Sequence, residues 1–235
     1  MIAVVDVGIG NVRSAEKALA TLGRPVERTA DPARALAATH LVVPGVGAFG
    51  EFLAALRDRG LDAVVRARAA ADLPTLGVCV GMQALYELGE EHGRHAGLGL
   101  LRGRVARLAA GDLPVPHCGW SQARALRDDP VLGPASGTGA APDGAAWYYF
   151  VHSFAATDDD PATRAAETDY GATFPSACRA GALWGVQFHP EKSQQAGLAL
   201  LARFAALPSP LPAALLAGVP RPRLSAPEPA QEALP

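Results

Sequence analysis

From its first residue the chain alternates short apolar runs with stretches whose apolar positions recur every three or four residues. Residues 2–7 (IAVVDV) are rich in β-branched side chains and end at Gly8, which predicts a strand followed by a turn. Val12, Ala15, Ala18, Leu19 and Leu22 then share one face of a helix over roughly 12–22, which Asn11 is placed to cap. A short strand at 26–29 leads to Asp31-Pro32, an N-cap residue followed by the proline that suits a first helical turn. HLVVPG (40–45) reads as a strand running into a turn, and 49–70 as helix with a break at Gly60. LPTLGV (73–78) is another apolar strand, followed at once by a helical pattern over about 81–88.

This rhythm predicts an α/β fold, an open, mostly parallel sheet with helices on both faces. After residue 100 the pattern changes. Segments 101–108, 113–118, 147–154, 164–168 and 182–188 look like strands without helices of comparable length between them. Antiparallel additions in the second half account for this, and a last helix over roughly 193–206 starts from Ser193. Residues 133–146 (GPASGTGAAPDGAA) have no bulky apolar side chain and read as an exposed loop. From Pro208 the chain is rich in Pro and Ala, so a domain over 1–207 is expected to precede a disordered extension over 208–235. LPAALLAGV (211–219) is the one stretch there with helical character.

Composition narrows the function classes. The 235 residues can bury a sizeable core, and a net charge of −2 gives no electrostatic reason to expect nucleic acid or an anionic membrane as partner. No run approaches the roughly 20 apolar residues of a membrane-spanning helix. The N-terminus lacks a basic leader and is interrupted by Asp6, so it reads as a strand and not as a secretion signal. Cys79, Cys118 and Cys178 form no CxxC pair, a sparse set that fits a reducing cytoplasm.

The chemistry concentrates in two segments. In Leu76-Gly77-Val78-Cys79-Val80-Gly81-Met82-Gln83 an apolar strand runs into a cysteine flanked by glycines, the thiol counterpart of the G-x-S-x-G elbow. A sharp strand-to-helix turn presents the side chain at the carboxyl end of the sheet, and a helix N-terminus favours the thiolate that performs the attack. The Val80 N–H is then placed to face the oxygen of a tetrahedral intermediate. Alone, such a cysteine is as readily a buried core residue. Cys118 and Cys178 lack the setting and read as structural.

A nucleophilic cysteine needs a base, and the base needs an orienting group. Gly185-Val186-Gln187-Phe188-His189-Pro190-Glu191 supplies both: an apolar strand delivers His189, Pro190 turns the chain, and Glu191 is placed to fix the imidazole tautomer. A single His-Pro-Glu turn is often only structural; paired with the elbow it points to a triad. Of the other histidines, His40, His92 and His95 read as solvated, while His117 and His152 lie in apolar strands and suit a core or the lining of a site. Their spacing suggests no metal site, and nothing in the chain calls for a cofactor.

GVCVGMQ together with FHPEKS resembles the class I (triad) glutamine amidotransferases. VDVGIGNVRS (5–14), PGVGAF (44–49), VPHCGW (115–120) and YFVHSF (149–154) narrow the resemblance to the glutaminase subunits of imidazole glycerol phosphate synthase, over residues 1 to about 206. The resemblance implies that Cys79 attacks the side-chain amide of glutamine, forming a thioester and releasing ammonia. His189 relays the proton and Glu191 orients it, while backbone amides around Val46, Gly47 and Val80 hold the oxyanion. It implies that Gln83, Ser153 and Phe154 hold the amino-acid end of the substrate. It further implies that Asn11, Trp120, Tyr149 and Lys192 lie at or near the interface with a (β/α)8-barrel cyclase, which uses the ammonia in histidine biosynthesis. Read bottom-up, Asn11 is also a plausible cap, Trp120 and Tyr149 core aromatics, and Lys192 a surface charge. Cys118 stands where Met is more usual in that family, Ser121 where Asn is frequent, and Val7 where an aromatic often stands.

Two other classes of reading stay open at this point. One is the glutaminase subunit of another triad amidotransferase, in anthranilate or pyridoxal phosphate synthesis, or a thiol hydrolase on the same elbow. The other is a binding module that kept the fold without the activity, against which the intact triad counts.

Overall fold

The computed structural model describes residues 1–9, 12–134, 145–158 and 160–209. Strands β1 (Ile2–Val5), β2 (Val26–Thr29), β3 (His40–Gly45) and β4 (Thr75–Cys79) alternate with helices α1 (Val12–Ala20), α2 (Pro32–Ala37), α3 (Phe49–Asp58) and α4 (Leu61–Ala70). The cap expected at Asp31 and the break expected at Gly60 are present. Asp31 Oδ1 accepts from Ala33 N–H at 2.8 Å with Pro32 at the first helical position, and Gly60, at φ 68°, separates α3 from α4.

The second half adds β5 (Tyr86–Gly89), β6 (His95–Ala96), β7 (Leu101–Arg107), β8 (His117–Ala125), β9 (Ala145–His152), β10 (Phe154–Asp158), β11 (Arg164–Tyr170), β12 (Ala172–Ala180) and β13 (Leu183–Val186). Helix α5 (Val80–Gln83) follows β4, and α6 (Gln194–Ala205) closes the fold after a 3₁₀ turn at Pro190–Lys192. Among the described residues, nine strands form one sheet in the order β2-β1-β3-β4-β13-β12-β11-β8-β9. The β2-to-β13 half is parallel and the rest antiparallel. Every residue of β1, β4 and β13 is buried, as strands covered on both faces must be. Helices α1 and α6 pack together, as do α2 with α4 and α3 with α4.

Several expectations need correction. The helix foreseen over 81–88 is the single turn Val80–Gln83, because Tyr86–Gly89 pairs as a strand in a second sheet, β10-β7-β5-β6. The strand expected at 113–118 begins only at His117, since Pro114 and Pro116 lack the N–H a ladder needs. The run 147–154 is divided at Ser153 between the two sheets, and β12 was not foreseen at all. The segments 135–144 and 210–235, with their expected loop and extension, lie outside the described residues.

Two buried polar groups shape the core. Arg68, fully buried, donates to the carbonyls of Leu36, Ala38, Thr39 and Pro74 at 2.6–3.1 Å. It thus satisfies the end of α2 and the entry to β3, and burial lowers its pKa to about 10. His40, expected in solvent, is buried instead. It packs edge-on against Phe204, and its Nε2 lies 3.1 Å from Leu207 O because the segment after α6 runs over the start of β3.

Candidate active site

Three adjacent parallel strands bring the expected residues together at their carboxyl ends. Gly45 of β3 is in register with Cys79 of β4, and Val78 with Val186 of β13. The 44–47 turn, the cysteine and the His-Pro-Glu turn therefore emerge side by side, where ligands of open α/β sheets bind.

Cys79 is buried and adopts φ 55°, ψ −114°, a conformation rare outside glycine. The elbow closes because three glycines let backbones touch. A Cβ at Gly81 would stand 1.9 Å from Val43 O, one at Gly45 2.4 Å from Gly81 N, and one at Gly77 2.5 Å from Gly81 O. The helix behind Cys79 is only four residues long, so local N–H groups, and not an extended helix dipole, supply positive potential here.

His189 Nδ1 lies 2.7 Å from Glu191 Oε1. Its Nε2 is buried without a hydrogen-bond partner among the described residues. Burial works against a charged ring, but the Cys79 and Glu191 side chains outweigh it and push the His189 pKa up to about 9. The backbone is pinned as well: His189 N–H donates to Tyr149 O at 2.9 Å. Ser193 Oγ donates to His189 O at 2.6 Å and accepts from Tyr149 N–H at 3.0 Å.

Cys79 and His189 border one cavity of about 320 Å³, which Val46, Gly47, Val80, Gln83, Ser153, Phe154 and Lys192 also line. Two contributors, Glu91 and Gln187, were not anticipated from the sequence. Glu91, the one carboxylate on the lining among the described residues, accepts from Phe49 N–H at 2.8 Å and so caps α3. Gln187 lies with its Nε2 3.7 Å from Cys79 Sγ, and its Oε1 accepts from Gln83 Nε2 at 3.0 Å. His152 lines the wall, one of the two options its strand position left open. Gln187 lay inside a quoted motif, so its alternation with His189 was a usable signal. Glu91, in a polar loop, gave none.

Asn11 lies outside the described residues. Trp120 is not a core aromatic: it is 42% exposed and packs edge-on against Tyr149, with ring centroids 6.1 Å apart. Lys192 Nζ stands 5.8 Å from the Tyr149 ring. Trp147, two residues from Tyr149 along β9, is 54% exposed on the same sheet face. Cys178 is buried as expected, whereas Cys118 is exposed with Sγ 3.5 Å from Tyr149 Oη.

A strained cysteine elbow at the end of a parallel sheet, facing a carboxylate-bound histidine, is the chemistry of a thiol-dependent acyl transfer. The family model described as glutamine amidotransferase class-I matches residues 3–206, and the chain belongs to that class. Solved structures agree on the fold. A glutamine amidotransferase crystal structure superposes with a TM-score of 0.66 at 19% identity, covering 87% of this chain and 100% of that one. The glutaminase domain of Trypanosoma brucei CTPS, with bound acivicin, gives 0.58 at 14% identity, covering 90% and 96%. Within the class, the chain belongs to the family of HisH subunits of imidazole glycerol phosphate synthase. It is 46% identical over 215 residues to the Salinibacter ruber HisH subunit, covering 89% of this chain and 95% of that protein. To the HisH subunit of Symbiobacterium thermophilum it is 47% identical over 203 residues, covering 86% and 92%.

Proposed function

We propose that the chain is the glutaminase subunit of an imidazole glycerol phosphate synthase, with Cys79, His189 and Glu191 as its catalytic triad. The observation that carries this is the convergence of the Cys79 elbow and the Glu191-bound His189 on one cavity. Cys79 Sγ attacks the glutamine side-chain carbonyl, and the C–N bond breaks as His189 hands its proton to the leaving ammonia. Water, deprotonated by His189, then cleaves the thioester to give glutamate. Backbone amides of the Val46-Gly47 turn and of Val80 stabilise the oxyanion in both steps. Gln83, with Glu91, holds the substrate ammonium, and the Ser153-Phe154 segment closes that end of the cavity.

The released ammonia serves a (β/α)8-barrel cyclase partner docked on the face that carries Trp120, Tyr149 and Lys192. Exposed aromatics grouped on one sheet face suit such a contact. No helix among the described residues is long and apolar enough to cross a membrane. We place the chain in the cytoplasm, where its three cysteines, none of them in a disulfide, stay reduced.

The test is synthesis by the chain assembled with the cyclase, supplied with glutamine or with ammonium salt. Cys79→Ser should lose about 10³-fold or more of the glutamine-dependent rate and keep the ammonium-dependent rate. Glutamine-dependent synthesis surviving in that variant would remove Cys79 from the mechanism.

A further inference from the structure

Behind the cavity wall two histidines touch. His117 Nδ1 lies 3.0 Å from His152 Nε2, His117 Nε2 lies 2.8 Å from Ser121 Oγ, and His152 Nδ1 lies 2.9 Å from Phe154 O. These contacts leave one assignment of protons. A carbonyl only accepts, so His152 Nδ1 donates to Phe154 O and its Nε2 is the acceptor. His117 Nδ1 therefore donates to His152, and His117 Nε2 accepts from the Ser121 hydroxyl. Both rings are neutral in this arrangement. Burial lowers the pKa of His117 to about 4 and, with the Phe154 carbonyl opposing it, that of His152 to about 3. His117 is further held between Phe150 and Tyr170, stacked at centroid distances of 4.8 and 3.9 Å.

The chain of donors ends at a shared acceptor. Phe154 O receives His152 Nδ1 and also Gln83 Nε2 at 2.9 Å. Gln83 Nε2 gives its second proton to Gln187 Oε1, whose own amide nitrogen faces Cys79 Sγ. Both amide hydrogens of Gln83 are thus committed, which leaves Oε1 as the atom free to accept a hydrogen bond from a ligand. Phe154 O has two lone pairs and both are used, so its place and that of Gln83 are fixed together.

We propose that His152, backed by His117 and Ser121, is a positioning residue that sets the Phe154 carbonyl and, through it, the orientation of Gln83 toward the amino-acid end of glutamine. The proposal rests on the glutaminase reading of the cavity. His152 takes no part in the proton transfers. Its donor to Phe154 O keeps Gln83 Oε1 presented to the substrate ammonium. The chain of hydrogen bonds begins at Ser121 on β8, whose side chain shares a sheet face with that of His117.

The test compares His152→Phe, which removes the donor, with His152→Asn, whose Nδ2 occupies roughly the place of Nδ1. Both leave the His117 proton without its acceptor, so they share that cost to stability and differ in the bond to Phe154 O. In the complex with the cyclase, H152F should raise KM for glutamine about tenfold, the worth of one hydrogen bond, with kcat changed less than about threefold. H152N should return KM to within about threefold of the wild type. An unchanged KM in H152F, or the same KM in both variants, overturns the proposal. If H152F does not fold, His117→Phe and His117→Asn pose the same question one residue further back, with KM raised only in the former. A wild-type complex that turns over no glutamine would overturn the glutaminase reading itself, and this inference with it. Normal wild-type turnover with an indifferent H152F removes only the positioning role.

Discussion

Glu191 Oε1 sits 2.7 Å from His189 Nδ1, two residues back along a proline-led turn, and this contact fixes which nitrogen of the ring holds a proton. A carboxylate only accepts, so Nδ1 holds a proton and Nε2 is the atom available to exchange one at Cys79. Glu191→Gln keeps the size of the side chain but lacks the charge that supports the imidazolium. The glutamine-dependent kcat should fall about 10²-fold, with KM little changed. A pH signature accompanies the loss. The His189 pKa is raised above its ordinary 6.5 to about 9, so the protonated ring stabilises the fold fully below pH 6.5, and that share is lost as the pH rises through 9. Melting temperatures measured across this window should fall less in E191Q than in the wild type. Parallel curves would mean that Glu191 does not set the charge of His189.

What the sequence made legible, and what it hid, follows from how local each signal is. Cys79 and His189 were readable because a contiguous strand and a punctuating Gly or Pro place each one without help from the rest of the fold. Glu91 acts through Phe49, 42 residues away, and a carboxylate in a polar loop looks like any solvated charge until the first turn of α3 is seen to start against it. His40 misled for a related reason: it follows polar Thr39, and only the return of Leu207, 167 residues later, buries it. The parallel half of the sheet was clear from its all-apolar strands. The second sheet was not, because β5 pairs with β7 and β7 with β10 across long separations, and short strands of mixed polarity gain their identity from those partners.

The glycine contacts around the elbow make a sharper stability prediction than the triad does. A methyl group at Gly81 would press on Val43 O, which belongs to the central strand β3 and has no room to retreat. Gly81→Ala should therefore cost about 3 kcal/mol, visible as a lower urea midpoint and a loss of glutaminase activity. Gly23→Ala is the comparison: nothing lies within 4 Å of its Cβ, and only the positive φ of 70° opposes it. That change should cost about 1 kcal/mol and leave activity intact. Equal effects at the two sites would show that the close approach at Gly81 is not what requires glycine.

Three buried histidines set a limit on the acid side. Burial lowers the pKa of His40 and His117 to about 4 and that of His152 to about 3. The unfolded chain binds these protons near pH 6.5 and the folded chain does not, so stability falls as the pH drops from about 6.5 toward 4. Urea midpoints at pH 5 should lie clearly below those at pH 7. His40→Gln cannot take up a charge and retains a donor for Leu207 O, so it should lessen the difference between the two pH values. A variant with the full wild-type loss would assign the acid sensitivity to other groups.

The last fixed points of the described chain bear on the C-terminal segment. Ser209 Oγ donates to Thr39 O at 2.6 Å, and Leu207 O meets His40 Nε2 at 3.1 Å, so the residues just beyond α6 close over the amino end of β3. That end of the sheet is opposite the cavity beside Cys79, because β3 runs from His40 toward Gly45, which is in register with Cys79. A chain ending at Ser209 retains both contacts and should keep glutamine turnover and cyclase binding within about threefold of the full chain. A chain ending at Ala205 loses the cover of His40 and leaves a buried imidazole without its carbonyl partner. Its melting temperature should drop by about 2–4 °C for each kcal/mol lost, with KM for glutamine unchanged. If cyclase binding instead collapses in the chain that ends at Ser209, residues 210–235 have a role of their own in assembly.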